Sequence, residues 1–88
     1  MKKHDLKLKV SEFVDVWEGL QRGVFVDSKL KVQIGDSIVL REYVNSITTF
    51  TGREIVCIVI HAIRDDEYTK YGIDFVSIFC AIKRIVND

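Results

Sequence analysis

Residues 4–10 alternate, with His4, Leu6, Leu8 and Val10 on one face and Asp5, Lys7 and Lys9 on the other. That period of two predicts a half-buried strand. The period then lengthens: Phe13, Val14, Trp17 and Leu20 fall three or four residues apart, which predicts a short helix. Ser11 is its expected cap, Glu12 and Asp15 suit its positive end, and Gly19 is its expected stop. About two turns of helix are marginal alone, so the apolar stripe must dock on a sheet.

Beyond Gly19, Gly23–Ser28 reads as a short strand, Lys29–Ile34 as extended or loop chain, and Gly35-Asp36 as a turn. Ser37–Val44 is the next strand, and Asn45–Gly52 a polar connection. Arg53–Ile63 is apolar on both faces, with Ile55, Cys57, Val59 and Ile63 on one and Val56, Ile58, Ile60 and Ala62 on the other, so it is expected at the centre of the fold. Arg64–Gly72 is charged and turn-like, and Ile73–Ile85 returns as a long apolar strand. A strand, a helix and four more strands joined by tight connections leave exposed edges unless the sheet curls. The expectation is therefore an α+β, mostly β fold: one small mixed β-barrel with a short helix after its first strand, as a single domain over residues 1–88. Its mouth, where the first strand, Gly19–Gly23 and neighbouring loops converge, is the expected ligand position.

Composition supports the sheet. Val (12) and Ile (11) outnumber Leu (5) and Ala (2), and β-branched side chains suit a pleated surface. Thirteen basic and thirteen acidic residues leave no formal net charge, so a polyanion site must be local. The longest wholly apolar run, Ile55–Ile60, is far short of the ~18 residues that cross a bilayer, so no membrane association is expected. Asp5, Lys7 and Lys9 interrupt what would be the core of a signal peptide, which leaves secretion unsupported. Cys57 and Cys80 sit inside apolar stretches without a CxxC spacing and are expected as buried, reduced thiols in a reducing cytoplasm.

Chemistry is sparse. His4 and His61 stand in no metal-ligand pattern, and no phosphate-binding glycine loop is present, so no metal and no cofactor is expected. Residues four apart on a strand lie roughly 13 Å from each other, so Cys57 and His61 cannot act as a nucleophile pair, and His61 is expected as a buried, satisfied histidine. The Asp65, Asp66 and Glu67 trio reads as a solvated loop. Lys2, Lys3, Lys7 and Lys9 on the first strand, with Lys29 and Lys31, suggest a positive stripe; Arg22, Arg41 and Arg53 stand beside it, and Tyr43 and Trp17 offer rings on which a base would stack. Trp17 also falls on the helix's apolar stripe, where a core position is expected.

His4-Asp5-Leu6-Lys7-Leu8, Trp17-Glu18-Gly19, Ile34-Gly35-Asp36, Leu40-Arg41-Glu42-Tyr43 and Thr51-Gly52-Arg53-Glu54 follow one another in an order and spacing that resemble the small bacterial and phage proteins grouped as domain of unknown function 3850. That group is similar to the ASCH branch of the PUA-like superfamily. The resemblance implies a PUA-like mixed β-barrel and a cleft of the kind associated with RNA or modified nucleosides. It also marks a departure. Where some relatives use a lysine, a threonine and a glutamate to hydrolyse an acetyl amide, and an arginine lines the cleft, this chain carries Gln21, Val24 and Val26 at the matching positions. A glutamine is no general base, and an arginine such as Arg22 binds anions without moving protons.

The leading expectation is a non-enzymatic module that binds RNA, a nucleotide or a similar anionic ligand through Lys7, Arg22, Arg41, Tyr43 and Arg53, all facing one concave surface. A second reading is a phage-derived protein-interaction module, pairing with a protein partner or a second copy of itself, in which Val24 and Val26 have turned the cleft apolar. A third is a small amidohydrolase acting on an acylated nucleoside, with Lys7, Glu42 and His4 as its polar groups.

Overall fold

The computed structural model describes residues 1–44, 49–63 and 70–86. Strand β1 spans Lys3–Lys9, helix α1 Val10–Trp17, β2 Gly23–Asp27, β3 Ser37–Val44, β4 Thr49–Ile63 and β5 Ile73–Ile85, with a single 3-10 turn at Ser28–Leu30. The five strands form one sheet in the order β1-β3-β4-β5-β2. Among the described strands only β1 and β3 run parallel, His4 lying opposite Ile38 and Leu8 opposite Glu42. The other neighbours are antiparallel, so the sheet is mixed.

One eight-residue helix cannot cover five strands, yet Val24, Ile38, Leu40, Ile55 and Val76, drawn from four of them, are fully buried. The sheet achieves this by curling into half a barrel around a single core, which Phe13 and Val16 of the helix complete. Among the described residues β1 and β2 remain the two ends of the sheet and do not pair with each other. β4 lies at its centre, as expected.

Several local expectations give way. Val10 belongs to the helix and is exposed, because the chain turns from strand to helix at Lys9, which occupies the cap position without a side-chain bond. Ser11 therefore lies inside the first turn and caps nothing. The helix ends at Trp17, and Gly19, at φ +80°, swings Leu20 into solvent, so Val16 takes the buried position assigned to Leu20. β4 starts at Thr49 within the expected polar connection, of which residues 45–48 lie outside the described residues, as do residues 64–69 with the acidic trio. β4 also buries one face only: Ile55, Cys57 and Val59 point into the core while Ile58 and Ile60 are exposed, since nothing among the described residues covers the outer face. A bulge between Val59 and His61 breaks the alternation there and turns His61 to the exposed side, opposite Ser77.

Candidate functional site

Pairing between β2 and β5 runs from Gly23–Ser77 to Asp27–Ile73 and stops, with the Ile78 N–H donating to the Arg22 carbonyl at 3.0 Å. Beyond Ile78, β5 continues for seven residues with β4 on one side and no described strand on the other. The helix end and the Gly19–Arg22 segment stand off from this free edge. The gap between them is a cleft of about 590 Å³, bounded by Val16 and Gly19, by Ile60, Ile78 and Phe79, and by the polar groups of Gln21, Arg22, Ser77, Cys80 and Lys83. It lies between the short helix and the half-barrel, against the Gly19–Arg22 segment, and no residue of the first strand lines it.

Among the described residues no carboxylate lines this cleft, and two cations do. The Lys83 ammonium donates to the Trp17 carbonyl at 2.5 Å and sits 5.6 Å from the Trp17 ring, satisfying the carbonyl end of the helix while keeping its charge at the cleft. Gln21 donates to the Glu12 carboxylate at 3.0 Å and to the Gly23 carbonyl at 2.8 Å, tying α1 to β2. Its amide nitrogen is thus committed to holding the wall in place, and its acceptor oxygen remains.

Of the five expected ligand residues, Arg22 alone lines this cleft. Lys7 and Arg41 border a second hollow with Asp5, Leu6 and Phe50. There the Lys7 ammonium stands 5.3 Å from the Tyr43 ring, and the Tyr43 and Phe50 rings are 6.5 Å apart. Arg41 and Arg53 meet at a third, small hollow beside Gly52 and Val86. The expected single concave surface is therefore divided among three places, because strand alternation sends Lys7 and Arg41 to the outer face. The proposed lysine stripe is divided too: Lys29 and Lys31 follow β2, at the edge opposite β1.

Both remaining arginines are committed to carboxylates. Arg41 Nη1 donates to Glu54 at 2.7 Å and Nη2 to Asp5 at 3.2 Å, and Arg84 meets the other Glu54 oxygen at 2.8 Å. These four side chains make an ion ladder across β1, β3, β4 and β5 on the outer face. On the inner side a register shift lets Glu42 face the Thr51–Arg53 segment, with Gly52 at φ +97° forming the bend. Arg53 donates to both Glu42 oxygens, at 2.9 and 2.6 Å, and Thr51 donates to one of them at 2.5 Å. The guanidinium also sits 4.9 Å from the Trp17 ring and 5.5 Å from that of Phe13. The Arg53 hydrogen bonds, helped by Thr51 and opposed by burial, hold the Glu42 carboxyl below its usual range, which makes it a poor proton acceptor.

The two tetrads Leu40-Arg41-Glu42-Tyr43 and Thr51-Gly52-Arg53-Glu54 are thus the halves of one clasp, Arg41 to Glu54 outside and Glu42 to Arg53 inside. A family profile that matches residues 3–75 covers both halves of the clasp and the helix side of the cleft, and stops before the β5 residues Ser77–Lys83 that form its other wall. The chain belongs to the DUF3850 family. DUF3850 is described only as a domain of unknown function, so membership confirms the sequence resemblance without adding an activity. No curated protein matches this DUF3850 chain.

The polar groups of the amidohydrolase reading do not converge in this DUF3850 domain. His4 and Glu42 both lie on the inner side, but four strand positions, roughly 13 Å, separate them. His4 Nε2 lies 2.9 Å from Asp36, which also accepts the Gln33 and Lys2 N–H groups, each at 3.0 Å. Val24 and Val26 are core side chains at 0% and 3% exposure, so they do not form the apolar cleft wall of the interaction reading. Lys83 was missed because it sits late in a strand read only for its apolar positions. The run Lys83-Arg84 breaking the β5 pattern was the available signal.

Proposed function

We propose that this DUF3850 domain is a PUA-like binding module that holds single-stranded RNA, a nucleotide or a similar anionic ligand in the cleft between α1 and β5. The observation that carries this reading is the wall itself: Arg22 and Lys83 with no described carboxylate between them, in a molecule whose other described arginines are all paired with acids. Phe79, largely exposed at the rim, offers a ring for a base, and such stacking is indifferent to sequence. Ser77 and the Gln21 oxygen supply polar contacts. The glutamine where acetyl-amide-cleaving relatives carry a lysine favours holding a ligand over transforming it.

Titration of an oligoribonucleotide at increasing salt tests this. Two phosphate contacts give a slope of log K against log salt of about −1.4, and Arg22→Ala or Lys83→Ala each reduces it by about 0.7. Binding that is independent of salt, or that responds to Lys7→Ala or Arg41→Ala and not to Arg22→Ala, removes the reading.

A second reading, a protein-interaction module, is favoured by the exposed outer-face side chains Ile58, Ile60, Phe79 and Ile82 and by the place of β2 at one end of the sheet among the described residues. It expects a concentration-dependent dimer in sedimentation that Ile60→Lys disperses. A strict monomer at all concentrations counts against it.

A further inference from the structure

Cys57 of β4 and Cys80 of β5 are direct cross-strand partners, their Sγ atoms 4.0 Å apart and both thiols free. Directly opposed residues of an antiparallel pair have Cα atoms about 4.5–5.5 Å apart, inside the range that a disulfide spans. Closing the remaining distance takes side-chain rotation and no shift of register. The two thiols differ in access. Cys57 is fully buried between Ile55 and Val59, whereas Cys80 is partly exposed and lines the cleft that holds Arg22 and Lys83.

We propose that this pair is a site of reversible thiol oxidation, in which Cys80 reacts first with a hydroperoxide entering the cleft and Cys57 then closes an internal disulfide. In the first step the Cys80 sulfur attacks one peroxide oxygen and the O–O bond breaks. The other oxygen leaves as water or an alcohol, carrying the thiol proton, and the sulfur becomes a sulfenic acid. In the second, the Cys57 sulfur attacks the Cys80 sulfur, the S–O bond breaks, and the hydroxyl leaves as water with the Cys57 proton. Two electrons have passed from the thiol pair to the hydroperoxide.

The order follows from access and from charge. Burial and the adjacent Cys80 sulfur push the Cys57 thiol well above its usual range, so it carries little thiolate, is shielded from solvent reagents, and attacks in the second step only by virtue of its fixed place beside the Cys80 sulfur. Its thiol lies 3.9 Å from the Ile55 carbonyl oxygen and 4.0 Å from the Cys80 sulfur, which places it to resolve a sulfenic acid on Cys80. The bond formed would draw the Cys80 sulfur toward the core and away from the cleft wall. Cys80 is therefore the contact through which oxidation alters the cleft, whatever ligand the cleft takes.

The test uses the whole folded chain with hydrogen peroxide and no cleft ligand, so its failure is separate from failure of the RNA reading. After oxidation, thiols are alkylated under denaturing conditions and the protein is weighed with and without reductant. The expected product is a monomer that takes up no alkyl group, has lost two hydrogens and recovers both thiols on reduction. In Cys57→Ala a sulfenic acid on Cys80 is trapped by dimedone; in Cys80→Ala, Cys57 reacts about tenfold or more slowly. Two alkylatable thiols in the treated native protein, disulfide-linked dimers as the product, or equally fast reaction of Cys57 in Cys80→Ala overturns the proposal. The native-protein arm decides the matter even where a variant folds poorly.

Discussion

Replacing Arg53 by Met tests whether the inner half of the clasp holds the fold together. Methionine keeps an unbranched chain beside the Phe13 and Trp17 rings and deletes the charge. Glu42, at 3% side-chain exposure, then keeps Thr51 but loses both guanidinium bonds. Stranding one member of a fully buried pair costs about 3–5 kcal/mol. Arg53 itself is 32% exposed and partly solvated, so the lower end applies: about 3 kcal/mol at neutral pH, including a cation–π contribution of about 0.5–1 kcal/mol.

The pH dependence makes the argument specific. In the native chain the folded Glu42 pKa lies below its ordinary value of 4.5, so its stabilisation is present above that value and is lost as pH falls through the folded pKa. Without Arg53, burial dominates and the folded pKa rises above the unfolded one. The sign then reverses: the variant is favoured below the unfolded pKa and loses stability as pH rises through the raised value. The deficit against native protein should therefore be largest near neutrality and shrink toward about pH 4. Urea melts followed through the single tryptophan, which lies against this pair, measure it directly. Glu42→Leu with Arg53→Met removes both charges and should recover at least half of the loss. A deficit independent of pH, or a double variant as unstable as Arg53→Met, refutes the account.

Three further outcomes follow from the same contacts. Arg84→Ala, which removes one half-exposed partner of Glu54 while Arg41 stays, should cost less than about 1 kcal/mol in the same melts, several-fold below Arg53→Met. Asp36 is held well below the usual carboxylate range, chiefly by His4 and also by the Gln33 and Lys2 N–H groups. Its contribution is present above the ordinary value of 3.8 and fades as acid titrates the folded carboxylate, so the urea-midpoint deficit of Asp36→Asn should be greatest at neutral pH and narrow in acid. Gly52→Ala places a Cβ 2.8 Å from the Val86 carbonyl oxygen at a φ of +97°; it should cost about 1–3 kcal/mol and speed amide exchange at Val86, whose N–H bonds the Gly52 carbonyl.

What the chain disclosed beforehand, and what it withheld, divides along one physical line. Period reveals which residues share a face, so β3 at Ser37–Val44, β5 at Ile73–Ile85, the helix after β1 and the central place of β4 were all legible. Period fails where one residue is added. The bulge before His61 reverses its side, and the shift between Arg41 and Tyr43 brings Glu42 against Thr51 and Arg53, which lie nine and eleven positions away. Charge partners are invisible for the same reason. Arg41 and Arg53 stand out in the sequence as ligand-binding candidates because sequence shows a charge but not the carboxylate that neutralises it across a strand pair. Arg22 survives as a ligand candidate because it stands just before β2 begins, where the chain enters the sheet. No described acid is paired with its guanidinium, and the cleft opens at the same point. In a neutral molecule, local recognition of an anion depends less on how many cations the chain carries than on which of them the sheet leaves unpaired.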